Sequence, residues 1–111
     1  MSPIEKDRML SLRGEQLTDR DGEKVGKMEE IYLDADSGEP EWALVHTGLF
    51  GTKRTFVPLA GATEEGGQLR VPLTKEQVKE APQVEPDGKL TKDEETALYS
   101  HYGIEPSAGE G

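Results

Sequence analysis

Cysteine is absent from all 111 residues. That removes disulfide scaffolds, thiolate metal sites and thiol nucleophiles at once. No apolar run approaches the roughly 18 residues that mark a membrane-spanning helix. The N-terminus also lacks the basic-then-apolar layout of a secretory leader, so a cytoplasmic location is the expectation. Basic residues are scarce: 13 Lys and Arg stand against 23 Asp and Glu, a formal net charge of −10. A grip on phosphate backbones or on anionic lipid needs clustered cations. The charge therefore disfavours nucleic acid and membrane surfaces as partners, and reads most simply as solubility through self-repulsion.

Motifs that carry chemistry are missing too. There is no G-x-S-x-G or S-x-x-K nucleophile, and Gly48-Leu49-Phe50-Gly51-Thr52-Lys53 lacks the spacing of a phosphate loop. The two histidines, His46 and His101, fall on different predicted elements without metal-ligand spacing. His46 reads as a half-buried strand residue, and His101 as a cation in the last turn of a helix. Asp19, Asp21 and Glu23, and likewise Asp34, Asp36 and Glu39, invite a calcium reading. Neither set has glycine at the sixth loop position or glutamate in the right place at the twelfth, except that Glu30 follows Asp19 with Lys24 where glycine belongs. Acidic turn residues at hairpin ends explain both sets more simply. No metal, cofactor or catalytic residue is expected.

What is present is a pattern of short strands. Asp21-Gly22 predicts a tight hairpin turn between a strand after Arg13 and one through Ile31-Tyr32-Leu33. A helix competes for Lys24 to Glu30, but the short turn favours strand. Gly26 suggests a bulge or a close backbone approach. Trp42, Leu44 and His46 alternate with Ala43, Val45 and Thr47, with apolar residues on both faces, so this strand belongs in the middle of the sheet. Arg54 to Leu59 follows, and Pro58, which has no N–H to donate, marks an edge or an end. A turn at Gly66-Gly67 leads to a strand at Gln68–Pro72. Helical signals come only later: Thr74…Gln77 and Thr91…Glu94 fit capping boxes, Leu98 and Tyr102 share a face, and Gly103 suits a C-cap.

The chain's only tryptophan and both phenylalanines lie between Trp42 and Phe56. The turn in that stretch carries an apolar tip, Leu49-Phe50, where polar residues are usual. Such a tip must tuck under its own domain or touch a partner. Trp42 with Leu98, Tyr99 and Tyr102 forms either a recognition surface or the seam where a terminal helix covers the end of a barrel. Packing is the simpler reading.

The order of these segments resembles a PRC-barrel domain, the module shared by the photosynthetic reaction-centre H subunit and ribosome maturation factor M. Residues 19–27, 38–45, 47–51, 56–59, 71–82 and 95–103 carry the resemblance. It implies a mainly β fold, a small, strongly bent barrel of five to six antiparallel strands with short C-terminal helices, used for protein interaction or assembly and without catalytic residues. The chain has no membrane helix and no room for the maturation factor's further domain, so those relatives' roles are not carried over.

The expected organisation is an N-terminal arm over 1–11, the barrel over 12–82, a linker and C-terminal helix over 83–103, and a disordered tail over 104–111. The expected function is a non-enzymatic interaction module, homodimeric, with a protein partner yet to be identified. Its candidate interface is Trp42, Leu49, Phe50, Arg54, Phe56, Tyr99 and Tyr102. Edge strands and an apolar tip give such a domain a physical motive to self-associate. The alternatives are an RNA-processing or ribosome-assembly accessory factor, using Lys24, Lys27, Lys53 and Arg54, and a metal-dependent enzyme built around His46.

Overall fold

The computed structural model describes residues 5–34, 36–47, 53–81 and 91–103. Its first hairpin forms where Asp21-Gly22 predicts it. Gly22 holds φ at +83°, a conformation that side chains resist. Its N–H donates to the Asp19 carbonyl at 3.0 Å, while Asp19 N–H donates to the Glu23 carbonyl at 2.8 Å. These bonds join β1 (Gln16–Thr18) to β2 (Lys24–Leu33) as an antiparallel pair. The helix alternative for Lys24 to Glu30 is not adopted, because pairing on both sides of β2 outweighs the local helix preference of Met28, Glu29 and Glu30.

β2 is irregular in three places. Leu17 faces Gly26 while Thr18 faces Lys24, so Val25 is an inserted residue. Met28 and Glu30 face the adjacent residues Val45 and Leu44 of β3 (Pro40–Thr47), which makes Glu29 a second insertion. Farther on, Tyr32 faces Trp42 and Leu33 faces Pro40, so here β3 holds the extra residue. Each bulge bends its strand and adds twist. Gly26 marks the tightest contact: a Cβ there would lie 1.9 Å from the His46 carbonyl oxygen and 2.8 Å from Val45 Cγ1. The glycine is required by close backbone approach.

β3 lies between β2 and β4 (Lys53–Pro58), as its two apolar faces predict. Ala43, Val45, Val57, Met28 and Ile31 form one buried face with Leu17 and Leu69 in the same core. On the other face, Trp42 opposes Pro58 and Leu44 opposes Phe56. Pro58 ends β4, which is an edge strand.

The sequence gives no sign of β5 (Thr63–Glu65), which pairs with β6 (Gln68–Arg70) across Gly66-Gly67, both at positive φ. β6 then lies parallel to β1, with Leu17 facing Leu69 and Thr18 facing Arg70. The sheet order is β4-β3-β2-β1-β6-β5. Two expectations are corrected here. The sheet contains a parallel pair, and among the described residues it does not close, because its ends, β4 and the three-residue β5, are not paired with each other. It is nevertheless curled: α2 (Lys75–Lys79), which follows β6, packs on β2 and on β4 at the opposite end.

Three helices complete the described fold. Thr74 caps α2 and Thr91 caps α3 (Lys92–Tyr102), each with a complete capping box, and Gly103 ends α3 in the left-handed conformation. α1 (Lys6–Ser11) falls in the stretch expected as an N-terminal arm over 1–11, for which no helix is foreseen. Met9 enters the core, followed by Leu12, and α1 packs on β3. Two apolar residues three apart are too weak a pattern to announce a helix.

Gly26→Ala should lower stability by about 3 kcal/mol, since backbone must move to admit a methyl group. Gly66→Asn, with open space around it and a left-handed φ that asparagine tolerates, should stay within about 0.5 kcal/mol of the parent. Urea denaturation midpoints measure both, and equal midpoints for Gly26→Ala and the parent would refute the close-approach account.

Candidate functional site

Four of the seven candidate interface residues lie inside the single chain. Trp42 and Phe56 are each 1% exposed, Tyr102 4% and Tyr99 8%. They meet one another in the seam between α3 and the sheet, as the packing alternative has it. Tyr99 stacks at a tilt on Trp42 with ring centroids 5.1 Å apart, and the Tyr102 hydroxyl donates to the Phe56 carbonyl at 2.8 Å. Tyr32 approaches Phe56 edge-on at 5.2 Å. Arg54 is exposed, whereas Leu49 and Phe50 lie outside the described residues.

The seam follows from the sequence of α3. Its capping box starts the helix, Leu98 and Tyr102 fall on one face, and Gly103 stops it. His101, in the last turn, donates from Nε2 to the Gln77 carbonyl of α2 at 2.7 Å, linking the two helices. Burial holds the Tyr102 phenol well above its ordinary pKa of 10.0. The bond it makes also matters for the sheet. Leu59 N–H donates to the Glu41 carbonyl, which sets the phase of the ladder so that the backbone groups of Arg54 and Phe56 point away from β3. Tyr102 satisfies the outward carbonyl of Phe56, and Pro58 has no N–H, so the far half of this edge is blunted.

The near half is charged. Lys27, His46 and Arg54 face one another in a row across β2, β3 and β4. The bulge turns Glu29 into this row: its Oε1 lies 2.8 Å from His46 Nε2 and 3.2 Å from Arg54 Nε. All three side chains are between one third and one half exposed, so these pairs contribute no more than about 1 kcal/mol. Glu29 was missed by sequence reasoning, because only the register shift brings it to this face. Lys53 adjoins the row, while Lys24, three residues before Lys27 on β2, faces Thr18 of β1 rather than β3. Of the basic set named for RNA, Lys24 is thus turned toward β1, and the carboxylate of Glu29 is paired with Arg54 inside the row.

The acidic turns serve structure. Asp19 is 3% exposed. Its Oδ1 accepts N–H bonds from Asp21 and Glu23, each at 2.8 Å, and its Oδ2 accepts from Lys75 at 3.2 Å. One carboxylate thus ties the β1–β2 turn to the start of α2. Asp34 accepts from the Ser37 and Asp36 N–H groups, and these bonds, Ser37's foremost, hold its carboxyl below the usual range. The hydrogen-bonded Arg8 guanidinium does the same for Glu64, joining α1 to β5. Among the described residues, no three His, Asp or Glu side chains converge as metal ligands would.

Asp19→Ala should cost about 2 kcal/mol, because three N–H groups at the partly buried junction of a turn and a helix lose their shared acceptor. Tyr102→Phe should cost about 1 to 2 kcal/mol by leaving the Phe56 carbonyl unserved. In the folded chain Tyr102 keeps its proton above pH 10.0, whereas the unfolded chain releases it. Its contribution is therefore complete below pH 10.0 and is lost as the pH rises beyond that value. Thermal melts from pH 9 to 12 should fall more steeply for the parent than for Tyr102→Phe (window set by the phenol pKa of about 10). Parallel slopes would show that Tyr102 is not the group responsible.

Among the described residues, no helix is long and apolar enough to cross a membrane. Comparison with curated proteins returns no match. Residues 7–78 match the PRC-barrel domain, from within α1 through the sheet and into α2. The match covers more than half of the 111 residues and takes in all of β1 through β6. The chain belongs to the PRC-barrel domain family.

Proposed function

We propose that this protein is a non-enzymatic interaction or assembly module that associates with itself and with a protein partner. Family membership carries the reading. The use made of the polar side chains supports it: Asp19 holds a turn and a helix start, His101 holds α2, and Glu29 holds His46 and Arg54. Each is engaged in holding the fold rather than aimed at a shared point where a substrate could react.

Self-association belongs at the Lys53 end of β4. The far half of that edge is blunted by Pro58 and Tyr102, whereas Lys53 and Arg54 are exposed. The connection carrying Leu49 and Phe50 joins Thr47 to Lys53 and so enters the sheet at this end. Burying those two apolar side chains in a contact would contribute roughly 1.5–3 kcal/mol each, enough to assist an interface but not to make one alone.

Light scattering after gel filtration should find a dimer for the parent chain and a monomer for Phe50→Asp. A parent that stays monomeric over a wide concentration range would defeat self-association. Dimers in both proteins would keep it and move the contact away from Phe50.

A further inference from the structure

α3 lies beyond the residues that match the family domain, yet it closes an apolar face of that domain's sheet. Its hold is confined to one end. Lys92 to Ala97 are exposed or half-buried, and only Leu98, Tyr99 and Tyr102 are buried. His101 adds one hydrogen bond to α2. α3 itself takes no part in the strand pairing of the sheet.

The ring that Tyr99 packs on carries an unsatisfied group. Trp42 is 99% buried, and among the described residues its indole Nε1–H has no acceptor. An indole nitrogen can only donate, and burying a donor without an acceptor favours any arrangement that supplies one. Against this ring α3 places the aromatic face of Tyr99.

We propose that α3 is a displaceable cover, and that the face it meets at Trp42 and Phe56, with Tyr32 and Leu44 beside them in the register, docks an amphipathic helix of a partner protein. That helix carries apolar anchors at the Leu98 and Tyr102 positions and a glutamine-type carbonyl acceptor for the Trp42 N–H. A second copy of the chain is a poorer occupant. Its own α3 would bring the same Tyr99 and leave the same N–H unserved, so exchange between copies gains nothing at that point. The inference rests on the interaction-module reading but not on self-association, and its failure leaves the light-scattering result untouched.

Hydrogen exchange on the parent chain supplies the first test. α3 amides should exchange through local opening, faster than the amides of β3, and Tyr102→Phe should speed α3 by about fivefold while sparing β3. Exchange of α3 and β3 together, in one global event, would overturn the cover. The second test titrates full-length Tyr102→Phe with a peptide of residues 91–103 carrying Tyr99→Gln, following emission from Trp42, the chain's only tryptophan. A saturable spectral change, several-fold tighter than with the unsubstituted peptide, is the expected result. No saturation, or equal affinity for both peptides, would overturn the docking site and its acceptor.

Discussion

The sheet is organised around the place where β2 and β3 come too close for a side chain. Residue 26 sits 1.9 Å, measured from a hypothetical Cβ, from the His46 carbonyl oxygen. The inserted residues Val25 and Glu29 flank this contact, and each deflects β2. A straight, regular β2 would leave the two ends of the sheet far apart. The deflected strand instead lets one short helix, α2, touch both β2 and β4 after leaving β6. The curl, the shared core and the position of α2 all descend from this contact.

Hydrogen bonds from a few side chains then fix what packing alone would leave loose. Asp19 joins a turn to a helix start, Tyr102 joins α3 to the edge of β4, and Arg8 with Glu64 joins α1 to β5. The Tyr102 bond is buried, so its loss leaves the Phe56 carbonyl in an apolar setting, whereas the buried Asp19 carboxylate serves donors in a partly exposed turn. The third is exposed and correspondingly weak. All three ties connect elements distant in sequence, and their strength follows burial rather than span.

The local chemistry of the fold was legible in the sequence. Asp21-Gly22, the two capping boxes and Gly103 each depend on neighbours within a few residues, while the alternation of β3 and the glycine at 26 signalled a central strand and a close approach without naming what approaches. The non-local arrangement was not. The parallel pairing of β1 with β6 rests on two facing residue pairs, Leu17 with Leu69 and Thr18 with Arg70, and alternation cannot say which strand lies beside which. The open sheet follows from the same limit. Glu29 joined His46 and Arg54 through a register shift, and the aromatic residues named as an interface became core because α3 folds onto them. α1 has only Met9 and Leu12 to announce it.

The seam between β1 and β6 also sets an order of events. β1 through β4 form a meander in which each strand pairs with the next, so its contacts close short loops. The Thr18 hydroxyl reaches the Leu69 carbonyl across 51 positions of chain. Chain entropy opposes that long closure until the meander has folded and offers β1 as a ready edge. The carboxylate of Asp19, already positioned by its own turn, can then receive the Lys75 N–H and lock the arriving segment. A buried acid in a tight turn thus acts as a latch for the last-arriving third of the domain.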